Sequence, residues 1–348
     1  MTDKNQYCLT LKRTIKDALT LLNELENGWT VFIIDDAEKL VGVLTDGDIR
    51  RGLLNDFSLN DPVESIMKRD FKYVQLGQLN TNLINTYRLK GIKMLPFLDV
   101  DFKIERLLDL TTLRSLIPVD VLIMAGGRGE RLRPLTDDKP KPMLLVGDKP
   151  ILEHNIDRLI LFGIEHITIS IKYKGDIIRN HFMDGIDKGV NINYIEEKDA
   201  LGTIGALSLI EDFSNDIVLI MNSDLLTNID FEDFYNDFIS KNADMSVASI
   251  PYKVDIPYGV LETEGDHIIS LKEKPSYTYF SNAGIYLIRK ELLSLIPYNS
   301  HYNATDLMTK IIETKGKLIT YPILQYWLDI GKHEDYKKAQ EDIKHINF

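Results

Sequence analysis

The feature that most restricts the fold of this chain is an apolar run that leads directly into a cluster of glycines. The run from Val119 to Met124 is typical of a buried strand, and Pro118 before it favours extended geometry in the residue that it follows. The next segment, 125–129, contains three glycines, which let a backbone approach a ligand closely and expose N–H groups to phosphate oxygens. This arrangement predicts a ligand site at the end of a central strand.

Strand-like and helix-like stretches alternate from residue 119 onward. One helix is predicted from Ile151 to Phe162, where apolar residues recur at helical spacing up to Gly163. The predicted strands are 119–125, 166–172, 191–195, 216–222, 246–251 and 283–288. This alternation predicts an α/β fold with a doubly wound, mainly parallel sheet covered by helices, whose ligands gather at the carboxyl ends of the strands.

The chain ahead of Pro118 contains two similar units, each with a helical stretch, two strands and a further segment. In the first, the helical stretch runs from Thr14 to Asn27, the strands are 31–34 and 40–44, and the segment is 45–50; in the second, these are Leu79 to Leu89, 94–98, 104–108 and Asp109-Leu110. The pattern predicts an α+β module over residues 1–117, followed by the α/β domain over residues 118–348.

Charge is distributed unevenly between these two parts. The chain has a net charge of −12 with 41 basic and 53 acidic residues, and residues 1–117 hold only 16 of the basic and 17 of the acidic ones. This balance disfavours a nucleic-acid partner. The segment 128–141 departs from it, with five basic against three acidic residues. A local excess of positive charge beside a glycine loop is what a triphosphate requires.

Several other classes of protein are disfavoured by the composition. Cys8 is the only cysteine, so neither an intrachain disulfide nor a multi-cysteine zinc site is expected. The seven histidines show no pairing at ligand spacing. No apolar run approaches the roughly 20 residues that cross a bilayer, and the polar start is unlike a signal peptide. We therefore expect a cytoplasmic protein without a membrane partner.

The string AGGRGERLRPLTDDKPKPML, residues 125–144, is the most specific motif in the chain. It lacks the Gly-Lys-Ser/Thr ending of a Walker loop. It resembles the signature of the sugar-phosphate nucleotidyltransferases, also called NDP-sugar pyrophosphorylases. The resemblance implies that Arg131 and Lys141 bind and activate the phosphates of a nucleotide. It also implies nucleotide contacts from the loop residues Ala125, Gly126, Gly127 and Gly129.

Two aspartates stand in contexts that resemble the family's metal ligands. Asp224 ends the sequence Asn-Ser-Asp after an apolar strand, where the family has a Gly-Asp element and this chain has Ser223 in place of glycine. Asp329 lies in WLDIGK, similar to the family's WxDxGT. Taken singly, either aspartate is typical of a helix cap or a turn. The resemblance implies that the two together hold Mg²⁺, which needs few carboxylates when phosphate and water complete its shell.

Three further motifs resemble the sugar-binding elements of the same family. These are YGV at 258–260, EKP at 273–275 and NAGIY at 282–286. The resemblance implies that Lys274 meets the sugar phosphate and that the sugar is bound by Glu196, Gly259, Glu273 and Asn282. A lone Glu-Lys-Pro would otherwise be typical of an exposed turn.

The sequence LGTIGAL, residues 201–207, bears on the choice of base. It resembles the form found in mannose-1-phosphate guanylyltransferases more than the GLAQA of thymidylyltransferases. The resemblance implies that Gly202 and Thr203 open a helix and contact the base, with guanine favoured over cytosine, thymine and uracil. The same residues also suit helix capping and packing. The identity of the sugar stays open.

The N-terminal module resembles a pair of CBS domains, most clearly at GVLTDGDI, residues 42–49. The resemblance implies that Thr45 and Asp48 hold an adenine nucleotide. The second unit departs from the pattern, because Glu105 to Leu110 lacks the glycine and threonine. A packing or dimerisation module without a ligand is the alternative.

The reaction implied by the resemblance joins an NTP, with GTP favoured, to a sugar 1-phosphate, giving an NDP-sugar for cell-surface glycan synthesis and pyrophosphate. A homodimer or higher homo-oligomer is expected. One alternative is a glycosyltransferase that uses a finished NDP-sugar, although such an enzyme has no use for the cationic phosphate loop. The other is a non-catalytic nucleotide sensor, which the intact set of predicted catalytic residues disfavours.

Overall fold

The computed structural model describes residues 4–25, 29–75 and 81–346, and divides into two compact units. The first unit consists of Met1–Pro118 with the short segments Ile160–Gly163 and Gly185–Val190. The second consists of Val119–Leu159, Ile164–Asp184 and Asn191–Phe348. The main division of the chain therefore falls between Pro118 and Val119. None of the helices in the described ranges is both long and apolar enough to cross a bilayer.

The first unit is built from two copies of one small sheet. Its elements are β1 (Cys8–Thr10), α1 (Ile15–Glu24), β2 (Val31–Ile34), β3 (Leu40–Leu44), α2 (Asp46–Leu54), β4 (Val74–Gln75), α3 (Thr81–Leu89), β5 (Met94–Leu98) and β6 (Ile104–Asp109). β1 pairs parallel with β2 and β2 antiparallel with β3, and the same relation joins β4, β5 and β6. The internal duplication is confirmed. Asn27 and Leu79, the predicted limits of two helical stretches, lie outside the described residues.

The two copies differ after their last strand. In the first copy α2 follows, whereas the second copy has a turn at 110–112 and no helix before β7 begins. The Asp109 side chain accepts hydrogen bonds from the backbone N–H and the hydroxyl of Thr111, which fixes this turn. No Thr-x-x-Asp cap is present there to start a helix, which agrees with the departure of this segment from the sequence pattern of the first copy.

Helix α2 begins with a reciprocal cap. The Thr45 hydroxyl accepts from the Asp48 N–H, and Asp48 Oδ2 accepts from the Thr45 N–H and hydroxyl. Asp48 Oδ1 lies 2.5 Å from Arg51 Nη2 and 2.9 Å from Lys68 Nζ. Burial acts to raise the pKa of Asp48, but the hydrogen bonds from Thr45, Lys68 and Arg51 outweigh it and hold the pKa below its usual value.

We expect Asp48→Asn to destabilise the first unit at neutral pH by roughly 1–2 kcal/mol, because it removes a helix cap and two ion pairs. The folded protein binds the Asp48 proton more weakly than the unfolded chain does. Its contribution is therefore present above the ordinary carboxyl pKa and is lost as the pH falls through the lowered one. Thermal unfolding across the acid range measures this. Asp46→Asn, at an exposed pair with Arg50, is the matched control and should change little. Equal effects of the two variants would contradict the prediction.

The second unit contains the large sheet and the helices packed on it. Its elements are β7 (Asp120–Ala125), β8 (Leu145–Val146), β9 (Lys149–Pro150), α4 (Ile151–Leu161), β10 (His166–Ile171), α5 (Gly175–Phe182), β11 (Asn191–Glu196), β12 (Ile217–Asn222), β13 (Leu225–Thr227), α6 (Phe231–Ser240), β14 (Met245–Asp255), β15 (Val260–Glu264), β16 (His267–Lys272), β17 (Ser276–Arg289), α7 (Ala304–Glu313), β18 (Leu318–Pro322), β19 (Trp327–Asp329) and α8 (His333–Asp342).

The seven-stranded sheet has the order β11-β10-β7-β12-β17-β14-β18. Only β17 runs antiparallel to its neighbours, so the mainly parallel α/β sheet is confirmed. Apolar side chains of its strands and of α7 form one buried cluster that includes Leu122, Ile220 and Leu307. Near their carboxyl ends, β7 and β12 are paired with Met124 opposite Asn222. The loops after these two strands therefore start side by side.

Each predicted strand is present, but two are longer than expected. β14 and β17 continue past the sheet as a two-stranded ribbon, with Pro251 opposite Phe280 and Asp255 opposite Ser276. β15 and β16 form a separate hairpin, which was not predicted. We call residues 250–281, which carry this ribbon and hairpin, the arm.

Candidate active site

The glycine loop after β7 folds back onto the stem of Lys141. Gly129 has a φ of 63°, and a Cβ added there would lie 2.9 Å from the Cβ of Lys141. A side chain at this position is therefore excluded both by space and by backbone conformation. The Thr136 hydroxyl donates to the Gly129 carbonyl at 2.9 Å, which closes the loop. Gly127, by contrast, has open space where its side chain would be.

Lys141 begins a short 3₁₀ helix and is only 8% exposed. Its Nζ lies 2.5 Å from Asp224 Oδ2 and 3.7 Å from Asp329 Oδ1. The structure thus brings together three residues that the sequence predicts to be catalytic and that lie far apart in the chain. The ammonium group offsets the charge of two neighbouring carboxylates.

The two aspartates meet because the short strands β13 and β19 pair antiparallel, with Leu225 opposite Asp329. The backbone N–H of Ile330 donates to the Asp224 carbonyl at 3.0 Å. The two aspartate backbones are therefore held side by side by main-chain hydrogen bonds. Strands of three residues give no readable periodicity, so this pairing was not predicted.

Arg131 reaches the same place from the glycine loop. A Cβ added at Gly331 would lie 3.6 Å from Arg131 Nη2, so the guanidinium packs beside this glycine. Burial raises the pKa of Asp329, and the neighbouring charge of Asp224 raises it further, while Lys141 and Arg131 act to lower it. Burial is thus the main cause of the raised pKa of Asp329, and the two cations reduce the shift without removing it.

One oxygen of this cluster has no partner. Asp224 Oδ1 is buried and accepts no hydrogen bond from any residue that the structure describes. Within the described ranges, no three His, Cys, Asp or Glu side chains lie close enough to hold a metal ion by themselves. Two carboxylates with an unused buried oxygen fit a divalent cation that takes its remaining ligands from water and substrate phosphate.

Glu197, which the sequence did not single out as a ligand, lies against the glycine loop. It is 6% exposed, accepts from the Ser170 hydroxyl and, at 3.0 Å, from the Leu201 N–H. Its Oε1 would lie 3.2 Å from a Cβ at Gly126. Glu196, the predicted sugar ligand, is instead exposed, with its carboxylate 4.0 Å from Arg179 of α5. No sequence signal separates these two glutamates, because both stand where β11 ends.

Gly202 and Thr203 are packed against the start of α7. Gly202 has a φ of 77°, and a Cβ there would lie 2.7 Å from the Tyr302 carbonyl oxygen. The Thr203 hydroxyl accepts from the Ala304 N–H at 2.7 Å. The expectation that these residues open a helix of their own is wrong, since only the short 3₁₀ helix Gly205–Leu209 follows. The close contact with the 302–304 segment explains why glycine is needed here.

Asn282 lies where β17 enters the main sheet. Its Oδ1 accepts from the Gly284 N–H and its Nδ2 donates to the Tyr286 hydroxyl, both at 2.9 Å. Gly284 in turn packs on Asn222 at the end of β12, since a Cβ there would lie 2.6 Å from Asn222 Nδ2. Asn282 is thereby fixed near the strand that leads to Asp224.

The remaining predicted residues lie on the arm. Gly259 and Glu273 are neighbours, since a Cβ at Gly259 would lie 3.2 Å from Glu273 Oε2. Lys274 has a φ of 42°, in the left-handed region. We call Lys141, Asp224 and Asp329 the lysine–aspartate cluster. Among the described residues, no hydrogen bond or ion pair joins the three residues of the arm to this cluster. The structure therefore does not bring the predicted sugar-phosphate side of the site into contact with the predicted nucleotide side.

The first unit contains a cavity of about 660 Å³ that includes Thr45 and Asp48 in its lining. Trp29 and Lys93 also line it, with Lys93 Nζ 4.7 Å from the centre of the indole ring. Lys68 and Lys72 add positive charge to the lining, and Asp46, Asp48 and Asp70 match the three lysines with an equal number of acidic side chains. An aromatic surface beside lysines suits a planar ligand that carries phosphate.

Comparisons with known proteins agree with this architecture. A family model described as nucleotidyl transferase matches residues 120–346, and a CBS domain model matches residues 2–55. A mannose-1-phosphate guanylyltransferase from Mycobacterium tuberculosis is 30% identical over 231 residues, which are 65% of this chain and 64% of that protein. A D-glycero-alpha-D-manno-heptose 1-phosphate guanylyltransferase from Aneurinibacillus thermoaerophilus is 30% identical over 65% of this chain and 99% of its own length.

Solved structures show the same relationship. The crystal structure of HddC from Yersinia pseudotuberculosis has a TM-score of 0.51 at 28% identity, covering 65% of this chain and 99% of that one. A second structure, described as a glucose-1-phosphate thymidylyltransferase from Bacillus anthracis, has a TM-score of 0.54 at 28% identity. The match covers 66% of this chain and 97% of that one. The family match spans most of the chain and includes the whole lysine–aspartate cluster. The chain therefore belongs to the nucleotidyl transferase family and carries a CBS domain at its N-terminus.

Proposed function

We propose that this protein is a sugar-1-phosphate nucleotidyltransferase that makes an NDP-sugar and releases pyrophosphate. The observation that carries the proposal is the convergence of Lys141, Asp224 and Asp329 beside the glycine loop. A family member that had lost its activity would have no need to bury a lysine between two carboxylates. A glycosyltransferase would have no use for a cationic loop suited to a triphosphate.

In the proposed reaction an oxygen of the sugar 1-phosphate forms a bond to the α-phosphorus of the NTP. The bond between that phosphorus and the oxygen bridging to the β-phosphate breaks, and pyrophosphate leaves with the electron pair. The attacking oxygen is already anionic, so no general base is required. Catalysis then consists of holding two polyanions in line and offsetting their charge.

The cations of the cluster would perform that role. Arg131 and Lys141 would meet the phosphates of the NTP, while the N–H groups around Gly126 and Gly127 approach them from the loop. Asp224 and Asp329 would hold Mg²⁺, which would offset negative charge on the α-phosphate. Lys141 then no longer has to balance the two carboxylates, and its ammonium group is available to a phosphate oxygen. Lys274 would position the incoming sugar phosphate.

We propose guanine as the base. Glu197 is a buried carboxylate that only accepts hydrogen bonds; each of its oxygens already accepts one, from Ser170 or Leu201, and has a second lone pair for a donor of the base. Guanine presents two adjacent donors, N1–H and the N2 amino group, whereas uracil and thymine flank their single N–H with carbonyl oxygens that a carboxylate would repel. The guanylyltransferase names of the two relatives support the same choice, and their manno-configured substrates suggest such a sugar 1-phosphate here. Gly202, Thr203 and Asn282 would line the nucleotide and sugar on either side.

For the first unit we propose an adenine nucleotide as ligand. The support is the cavity with Thr45 in its lining and the lysines that would meet phosphates. Asp48 already accepts from Thr45, Arg51 and Lys68, so it would contribute mainly by fixing Lys68 at the cavity wall. A packing module without a ligand is the alternative.

The proposal predicts pyrophosphate release only when an NTP and a sugar 1-phosphate are both present, with no sugar acceptor. An assay of pyrophosphate release with each of four NTPs and a panel of sugar 1-phosphates tests this prediction. GTP with a manno-configured sugar should give the highest kcat/KM. Turnover that requires a finished NDP-sugar and an acceptor would instead identify a glycosyltransferase.

Glu197→Gln should reduce the preference for GTP over UTP roughly tenfold, which is the size of one hydrogen bond to a charged acceptor.

Two variants should separate the nucleotide side from the sugar side. Asp224→Asn should lower kcat by about 10²–10³, because charge stabilisation at the reacting phosphorus is lost. Lys274→Ala should mainly raise the KM for the sugar 1-phosphate. Steady-state kinetics with each substrate varied in turn measure both, and Asp187→Asn, at an exposed aspartate that is not among the predicted site residues, is the control. Unchanged turnover by Asp224→Asn would remove that residue from the metal role.

Asp329→Asn should raise the melting temperature of the metal-free protein at neutral pH while abolishing turnover. The pKa of Asp329 is raised, so the folded protein binds this proton more tightly than the unfolded chain does. Stability therefore falls as the pH rises through that pKa, and the ionised carboxylate opposes folding at pH 7. The gain in melting temperature should vanish when the pH is below 3.8, the ordinary pKa of this carboxyl group. Calorimetry without divalent ions measures it, and a lower melting temperature at pH 7 would show that the pair with Lys141 dominates.

A further inference from the structure

Three neighbouring strands of the large sheet end at the same level, beside the start of the glycine loop. Ile171, the last residue of β10, is paired with Ala125, the last residue of β7. On its other side β10 pairs with β11, and the Glu197 N–H just after β11 donates to the Ile171 carbonyl at 2.9 Å. The residues that follow the three strands, Gly126, Lys172 and Glu197, therefore lie side by side at this edge of the sheet.

Lys172 lies close to Glu197 but does not form an ion pair with it. A Cβ added at Gly126 would lie 3.5 Å from the Lys172 Cβ and 3.2 Å from Glu197 Oε1, so the lysine stem and the carboxylate adjoin the same point of the loop. Lys172 is half-buried, and its side chain makes no hydrogen bond or ion pair with any residue in the described ranges. Its ammonium group is therefore available to a ligand.

Two other lysines near this edge of the sheet have partners within the protein. Lys174 donates to the Asp137 carbonyl, and Lys141 pairs with the two aspartates of the lysine–aspartate cluster. Partly burying an ammonium group without such a partner costs free energy. Folding alone gives no reason for Lys172 to stand where it does, whereas a ligand that accepts hydrogen bonds beside Glu197 would give one.

The proposed base has an acceptor at the position that such a lysine would meet. With Glu197 accepting from N1–H and the N2 amino group of guanine, the next polar atom around the ring is O6, which only accepts. The Ser170 hydroxyl and the Leu201 N–H cannot serve it, because both already donate to Glu197. A lysine has three donors and no acceptor, and lysine is a common partner of O6 and N7 where proteins read guanine.

We infer that Lys172 is a specificity-determining residue that donates to O6 of the guanine base while Glu197 accepts from N1–H and N2. The inference rests on the proposed function and adds a second residue to its base site. The pair opposes adenine and cytosine twice, because each presents an amino group to the lysine and a ring nitrogen acceptor to the carboxylate. Uracil and thymine are opposed at the carboxylate, which would meet a carbonyl oxygen.

The test is calorimetric binding of three nucleotides to the full-length protein with Mg²⁺ and without a sugar 1-phosphate, so that no turnover occurs. ITP differs from GTP only by lacking the N2 amino group, and 6-thio-GTP only by carrying sulfur, a weak acceptor, in place of O6. Lys172→Met should raise the Kd of GTP and of ITP about tenfold, as expected for one hydrogen bond from a charged donor, and that of 6-thio-GTP less than about threefold. Equal weakening of all three nucleotides would place Lys172 at the phosphates and overturn the inference, as would no weakening of GTP.

Two further variants control for charge and for the donor. Lys198→Met removes the same charge from an exposed lysine next to Glu197 and should leave all three Kd values within about twofold of the wild type. Lys172→Arg keeps a donor for O6 and should restore the preference for GTP over 6-thio-GTP. Melting temperatures show whether each variant is folded, and Lys172→Ala replaces Lys172→Met should the latter fold poorly.

Binding does not depend on turnover, so the base contact can hold or fail independently of the proposed reaction. The expected Kd pattern without any release of pyrophosphate would refute the reaction and support the base contact. Release of pyrophosphate from GTP by a Lys172→Met variant with the wild-type preference for GTP over 6-thio-GTP would support the reaction and refute the base contact.

Discussion

The ammonium group of Lys141 between Asp224 and Asp329 is the interaction on which the rest of the site depends. Two carboxylates that are far apart in the chain repel each other when the fold brings them together, and a protein whose second part holds most of the acidic excess cannot rely on distant charges to relieve this. Lys141 supplies the missing charge at 2.5 Å from one and 3.7 Å from the other. Glycine at position 129 is what allows its stem to reach them. Burial, together with the charge of Asp224, nevertheless raises the pKa of Asp329.

Much of the candidate site could be predicted, because the motifs that indicate it are contiguous in the chain. The strand β7, the glycine loop and Lys141 lie within one motif, and parallel pairing puts the ends of β7 and β12 together. The meeting of Asp224 with Asp329 could be predicted only by resemblance, because the strands β13 and β19 that produce it have three residues each. Hydrophobic periodicity needs a longer window than that.

The predictions that were wrong or missing concern places where a strand leaves its sheet. The alternation of apolar and polar residues carries no information past the end of β11. The sequence therefore indicated Glu196 as the sugar ligand, whereas the structure buries Glu197 and leaves Glu196 exposed. β16 is apolar on both faces, so its sequence does not show which face is covered, and the hairpin was missed. These are tertiary or local polar effects that binary patterning cannot detect.

Hydrogen-bond satisfaction distinguishes Asp48 from Asp224. Both oxygens of Asp48 are occupied, by Thr45 on one side and by Arg51 and Lys68 on the other, so its conformation is complete without a ligand. Asp224 is different, because one oxygen is buried and accepts no bond from the described residues. Burying an unsatisfied carboxylate oxygen is costly, and folding alone gives no reason to retain one. Under the proposed function a divalent cation would offset that cost, so Asp224 is the residue whose environment would depend most directly on the metal.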